Sequence, residues 1–151
     1  MARVGRWLGS GAALLAATGV MAGCGSGGSS TTGAPTKAQY VARVTAVCNA
    51  LMRRTETISE GGHSFEAAVR EIVDAHEQAD RQLRAIPLPD PSTVPAEWLH
   101  WRETATSAMR RAIDAKPYSH ERSAASADEF KANEKARAVA RVYGLSACLR
   151  T

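Results

Sequence analysis

The sequence has three cysteines, Cys24, Cys48 and Cys148, and their thiols are its most reactive side-chain groups. A thiol can be acylated or oxidised to a disulfide, and as a thiolate it can act as a nucleophile or a metal ligand. None of the three belongs to a CxxC pair, and no His or Lys adjoins Cys48 or Cys148 to stabilise a thiolate. The spacing therefore favours structural uses of the thiols, with a catalytic thiol as the rival interpretation.

The four histidines, His63, His76, His100 and His120, are scattered and form neither an HExxH motif nor a pair at i, i+4. Asp80 follows His76 by one turn and could form a weak metal or hydrogen-bonded pair, although solvated or locally bonded histidines are the favoured interpretation. The sequence also lacks a GxSxG motif, a phosphate-binding Gly-rich loop and a paired-Cys zinc motif. We expect no enzymatic activity, no catalytic residue, no metal and no cofactor.

The residues before Cys24 have the three parts of a secretory signal: Arg3 and Arg6, a short apolar run over 12–20, and small residues before a cleavage point. The segment Val20-Met21-Ala22-Gly23-Cys24 resembles the lipobox of bacterial lipoproteins, with Met21 in place of the usual Leu. The resemblance implies that residues 1–23 are removed and that the thiol of Cys24 carries a diacylglyceryl group. An ordinary secretory signal cut nearby is the alternative.

A polar segment rich in Gly, Ser and Thr follows Cys24 and extends to residue 35. Such a composition predicts a flexible tether with a mean reach of roughly 18 Å. Two acyl chains hold a protein on a bilayer where one would be marginal, because each buried methylene contributes about 0.8 kcal/mol. We therefore expect a membrane anchor at Cys24 and a location on the extracytoplasmic face of the cell membrane.

The charge balance of the chain bears on whether it binds nucleic acid. The whole chain has a formal charge of +4, but Arg3 and Arg6 lie in the predicted signal. The remainder carries 17 basic and 15 acidic residues, which are interleaved along the chain as on ordinary solvated helix faces. This balance does not favour nucleic-acid binding.

Residues 36–151 have the apolar spacing of helices, with no competing strand pattern. Thr36 and Gln39 form a capping box for a first helix over 37–59, and Ser64 begins a second helix that stops at Pro87. Phe65 is predicted to face inward on this second helix, and Glu66–Arg70 and Glu77–Arg81 are predicted as ion pairs on its outer face.

Two further helices follow a proline-rich connection over 87–95. The third begins near Pro95 and ends before Pro117. The fourth is predicted to begin at a capping box of Ser126 and Glu129, to bury Phe130, and to end at Gly144 with Leu145 as an apolar contact. The prediction is an all-α domain, a small antiparallel four-helix bundle.

The assignment of Cys24 to lipid leaves Cys48 and Cys148 as a pair in an exported domain, where oxidation is permitted. We expect a disulfide between them, which in the chain-entropy model stabilises by about 4.7 kcal/mol for a loop of this length. Cys48 lies about a dozen residues, or roughly 18 Å, into the first helix. The tail after Gly144 must therefore run back along that helix, or the fourth helix must end partway along it.

Trp98, Leu99 and Trp101 form the densest group of large apolar side chains. They are candidates for a ligand pocket or a partner-binding patch, because Trp offers apolar area with a polar group. The competing interpretation is that the two Trp side chains fill the core.

Together these motifs resemble a group of small actinobacterial lipoproteins. The resemblance rests on the lipobox, the polar tether, Lys37-Ala38-Gln39-Tyr40 ahead of Cys48, the Ala85-Ile86-Pro87-Leu88-Pro89 break, and Tyr143-Gly144-Leu145-Ser146-Ala147-Cys148. It implies the architecture and the disulfide and carries no mechanism. We expect a non-enzymatic binding or interaction module of the envelope, with an envelope protein as partner; the alternative is a carrier or sensor of a small apolar ligand near the Trp cluster.

Overall fold

Four helices and a short 3-10 helix account for most of the described chain. The computed structural model describes residues 33–89 and 94–151, which lie within one unit, Thr32–Thr151. The elements are α1 (Lys37–Glu60), α2 (Phe65–Arg84), α3 (Val94–Asp114), α4 (His120–Tyr143) and the 3-10 helix Ser146–Leu149. Within those ranges there is no strand, and the all-α prediction is confirmed. The predicted signal peptide, Cys24 and most of the tether lie outside the described residues.

Side-chain hydrogen bonds cap the first two helices at the N-terminal positions predicted from the sequence. The Gln39 amide N–H donates to the Thr36 hydroxyl at 3.2 Å, and the Thr36 N–H donates to the Gln39 side chain at 2.9 Å. The predicted capping box is thus confirmed, and each partner satisfies a backbone donor that the helix start would otherwise leave free. Ser64 caps α2 by accepting from the Ala67 N–H at 3.3 Å.

The predicted start of α4 is wrong. The helix begins at His120, because the Ser119 hydroxyl accepts from the Arg122 N–H at 3.1 Å and acts as the N-cap. Ser126 and Glu129 lie inside the helix. Glu121 in the first turn favours the earlier start, since a carboxylate there interacts with the positive end of the helix dipole. The other end agrees with the prediction: Gly144 has φ 90° and caps α4, as a residue without Cβ can.

Ion pairs between α2 and α3 show that the two helices are antiparallel. Arg70 near the start of α2 contacts Asp114 at the end of α3, 3.3 Å apart, and Arg84 at the end of α2 contacts Glu103 at 2.7 Å. The predicted Glu66–Arg70 pair is present at 3.3 Å. Glu77, predicted to pair with its helix neighbour Arg81, instead accepts from Arg110 of α3 at 2.9 Å. A partner on the facing helix has replaced the partner one turn away.

The α3–α4 pair packs through small side chains. Ala105, Ala108 and Ala112 of α3 are buried, and α4 buries a matching series: Ala125, Ala132, Ala136 and Ala140. Alanine lets two helix backbones approach closely while still removing apolar surface from water. On the other side of the molecule, α1 packs against α2 and the 3-10 helix, in agreement with a four-helix bundle.

The bundle has two ends, which we call basal and distal. The basal end holds the start of α1, the end of α2, the start of α3 and the end of α4; the distal end holds the other four helix termini. The largest core cluster lies toward the basal end and includes Tyr40, Leu83, Trp98, Tyr143 and Leu145. Two predicted inward residues are not in the core: Phe65 is 82% exposed and Phe130 is 65% exposed.

A disulfide joins the first and last elements. The Cys48 and Cys148 sulfurs are bonded, and their Cα atoms are 5.3 Å apart. After Gly144 the chain turns, buries Leu145, and forms the 3-10 helix against α1 and α4. The tail therefore runs back along α1 to reach Cys48, which is the first of the two alternatives predicted from the position of Cys48 within its helix.

Candidate functional site

An open groove of about 740 Å³ lies at the distal end of the bundle. Its walls are the first turns of α2 and α4 and the last turn of α3 with the connection that follows. The lining residues are Phe65, Glu66, Val69, Arg70, Ile113, Asp114, Ala115, Lys116, Pro117, Tyr118, Arg122, Ser123 and Ser126. A smaller hollow of about 350 Å³ lies at the end of α1, beside Arg53, Arg54 and His63.

Two aromatic side chains at this groove are exposed. Phe65 is the first residue of α2, placed there by the Ser64 cap, and Tyr118 immediately precedes the Ser119 cap of α4. Tyr118 is fully exposed and has φ 62°. A bulky side chain rarely adopts a positive φ, and such strain persists only where the surrounding structure imposes it. The connection between α3 and α4 thus holds an aromatic ring outward at a backbone cost.

Some of the charged side chains around the groove form ion pairs and others do not. Arg70 contacts both Glu66 and Asp114 at 3.3 Å, so one cation serves both acidic residues. Lys116 and Arg122 have no carboxylate within 4 Å among the described residues. The groove therefore presents two apolar rings together with two unpaired cations, an arrangement suited to a ligand with apolar surface next to a carboxylate.

The three residues of the predicted Trp cluster do not form one exposed patch. Trp98 is 1% exposed and belongs to the core. Leu99 and Trp101 are half-buried against the same core. The Lys135 ammonium lies 3.8 Å from the centre of the Trp101 ring, and the His100 and Trp101 rings form an edge-type contact with their centres 4.9 Å apart. These positions agree with the core interpretation of the Trp side chains.

His76 and Asp80 lie in a polar cluster around Arg102, in which Asp80 is buried and His76 is partly buried. The Arg102 guanidinium donates to Asp80 at 2.7 Å and to the Thr151 hydroxyl at 2.9 Å, and both members of the ion pair are buried. Burial and the nearby Arg102 cation lower the pKa of His76 to about 4, so its ring is neutral at pH 7. Over the described residues no group of three or more His, Cys, Asp or Glu side chains is placed to hold a metal ion.

The groove was not predicted from the sequence, because Phe65 was expected in the core and Tyr118 was not considered. Phe65 fits the inward spacing of α2, yet it stands at the end of the helix, where no neighbouring helix covers it. Tyr118 lies in a connection that helix periodicity does not address. Pro117, Ser119 and Glu121 together were the available signal, since proline, an N-cap and an acidic first turn mark a helix start.

The site is not explained by a known relative. Comparison of the chain with protein-family models, with curated proteins and with solved structures finds no match in any of the three. In the described part of the chain, no helix combines the length and apolar character needed to cross a bilayer.

Proposed function

We propose that this protein is a lipid-anchored, extracytoplasmic interaction module whose distal groove binds a protein of the cell envelope. Cys24 carries the diacylglyceryl anchor after removal of residues 1–23, and the Gly/Ser/Thr segment serves as the tether. The partner chemistry that fits the groove is a peptide segment with an apolar side chain beside a carboxylate. It would pack on Phe65 and Tyr118 and meet the cations of Lys116 and Arg122.

The observation that carries this proposal is the position of the groove relative to the start of the domain. Residues 33–36 lead into α1 at the basal end, whereas the groove is at the distal end. A helix of this length spans about 36 Å, and the tether has a mean reach of roughly 18 Å. An anchored domain would therefore keep its groove away from the lipid and open to other envelope components.

The burial of Trp98 weakens the alternative of an apolar carrier. A carrier needs a cavity beside its ligand-binding residues, and the Trp98 side chain is itself part of the packed core. We therefore prefer the interaction module.

Anchoring is tested with Cys24→Ala in the full chain expressed in a bacterial host. We expect the native chain to incorporate labelled fatty acid and to sediment with membranes, and Cys24→Ala to do neither. Ser26→Ala is the matched control, because it changes the same segment and keeps the thiol. If Cys24→Ala remained in the membrane fraction to the same extent as the native chain, the anchoring proposal would be wrong.

The groove is tested by crosslinking in intact envelopes, followed by mass spectrometry. We expect Phe65→Ser with Tyr118→Ser to lose proteins that the native chain captures. Phe130→Ser is the matched control, since Phe130 is exposed on α4 and does not line the groove. Equal capture by all three chains would remove the groove as the binding site.

A further inference from the structure

The fold separates charges that the sequence interleaves. We divide each helix at its midpoint, so that the basal half comprises residues 37–48, 75–86, 94–104 and 132–151. That half contains nine Lys and Arg residues and five Asp and Glu residues. The rest of the described chain contains eight basic and nine acidic residues. The excess positive charge of the domain is thus concentrated toward the end where the chain enters α1.

The ion pairs leave this excess of positive charge in the basal half. Three of the five basal acidic residues, Glu77, Asp80 and Glu103, already contact arginines of a facing helix. Among the described residues, no carboxylate lies within 4 Å of seven basal cations. These cations are Lys37, Arg43, Arg81, Lys135, Arg137, Arg141 and Arg150. Lys37 and Lys135 lie over the rings of Tyr143 and Trp101, and Arg150 follows Cys148 near the middle of α1. In the rest of the described chain, Arg70, Arg110 and Arg111 are paired with acidic residues. The other five cations there have no carboxylate within 4 Å, but as many acidic residues of the same half contact no Lys or Arg, so their charges balance.

An exposed apolar side chain lies among the unpaired cations. Val142, in the last turn of α4, is 82% exposed. It follows Lys135 by seven residues, which places the two on one face of the helix. Cations bordering an exposed apolar side chain are the pattern by which protein surfaces bind the interface of an anionic bilayer.

We propose that the basal end of the domain is a membrane-contact surface that binds anionic lipid head groups through its unpaired Lys and Arg side chains. Val142 enters the head-group region beside Arg141. This inference deepens the proposed function and rests on it, because the anchor at Cys24 is what would hold the basal end beside a bilayer. Contact with lipid on this side would orient the distal groove outward.

The test is sedimentation of the oxidised segment Thr32–Thr151 with lipid vesicles. This segment contains the core, the helix caps and the disulfide, and it lacks Cys24, so its binding is independent of lipidation. We expect binding to vesicles of phosphatidylcholine mixed with phosphatidylglycerol and none to phosphatidylcholine alone. Binding should be lost near 1 M salt, where the Debye length falls to about 3 Å.

A matched pair of charge reversals locates the surface. Arg43→Glu with Arg141→Glu changes two exposed, unpaired basal cations, and Arg53→Glu with Arg54→Glu changes two exposed, unpaired distal ones by the same charge. One cation near an anionic surface strengthens binding about fivefold, so the basal pair should weaken vesicle binding roughly 25-fold or more. The distal pair should retain binding within about threefold, because those side chains lie beyond a Debye length from the lipid. Circular dichroism verifies that both variants are folded.

Three results would overturn the proposal. They are binding that does not depend on phosphatidylglycerol, an equal loss in the basal and distal variants, and competition by soluble polyphosphate at the same charge concentration, which would indicate a site for anionic polymers. The two proposals can fail separately. An absence of vesicle binding would not affect the anchoring proposal tested with Cys24→Ala, and a failure of anchoring would not affect the result of the vesicle assay.

Discussion

The two ends of the bundle use their aromatic side chains in opposite ways. At the basal end Tyr40, Trp98 and Tyr143 are buried, close to the disulfide-bonded tail. At the distal end Phe65 and Tyr118 stand in solvent around an open groove. A buried aromatic ring stabilises the fold, whereas exposed apolar rings gathered at a groove are typical of a binding surface. The comparison assigns stability to the aromatic side chains of the basal end and protein recognition to those of the distal end.

The largest effect that would test this division is on stability. Trp98→Ala should lower the free energy of unfolding by about 3 to 5 kcal/mol, because it removes a fully buried ring and leaves a cavity. Phe65→Ala is the matched change at the distal end and should alter the free energy of unfolding by no more than about 0.5 kcal/mol. Urea denaturation of the oxidised chains measures both. Similar losses in the two variants would break the comparison.

The second effect depends on pH. His76 in the basal half has a pKa of about 4 in the folded chain, below its ordinary value of 6.5. The unfolded chain therefore binds an additional proton between these values, and stability decreases as the pH falls from about 6.5 to about 4. The decrease from this group should be about 2 to 3 kcal/mol.

Denaturation across this pH range should show a shallower loss for His76→Gln than for the native chain. His120→Gln, which changes an exposed ring at the distal end, is the control and should reproduce the native profile. A native-like profile for His76→Gln would mean that burial of this ring does not contribute to acid sensitivity.

A third, smaller effect separates recognition from stability at one residue. Tyr118→Gly should raise the free energy of unfolding by about 0.5 to 1 kcal/mol, because glycine adopts φ 62° without strain. The same change should reduce the proposed capture of envelope proteins, since it removes an exposed ring of the groove. Tyr118→Phe should keep both properties at native levels. Lower stability in Tyr118→Gly would show that the ring contributes packing rather than recognition.

The smallest effect concerns the hydroxyl of Tyr40. This group is buried and has no hydrogen-bond partner among the described residues, and burial, with Tyr143 nearby, raises its pKa to about 12. Tyr40→Phe should leave the free energy of unfolding unchanged or raise it by up to about 1 kcal/mol. The native chain should lose stability as the pH rises from about 10 to about 12. Tyr40→Phe should not show this tyrosine-dependent loss when unfolding is followed across the same range.

Local signals in the sequence predicted the fold well where they act within a few residues. Thr36 with Gln39, Ser64 and Gly144 each satisfy backbone groups of their own helix, so their roles follow from short spacing alone. The start of α4 was mispredicted because Ser126 and Glu129 match the same spacing inside a helix. Only the turn after α3 identifies Ser119 as the cap.

The contacts between helices could not be predicted from the sequence. Glu77 has a suitable neighbour in Arg81 on its own helix, but the packing of α2 on α3 brings Arg110 closer. The gathering of cations at the basal end has the same origin. Arg43 and Arg141 are about a hundred residues apart in sequence, and antiparallel packing places both in the basal half.

The bond between Cys48 and Cys148 also makes most of the domain a covalent ring. The connections between helices, which are the exposed places where a protease would cut, all lie between these two cysteines. A single cleavage in any of them opens the ring without releasing a fragment, and the cut chain runs as two pieces only after reduction. A domain of this kind keeps its groove joined to the start of the domain after damage that would divide an unbridged bundle.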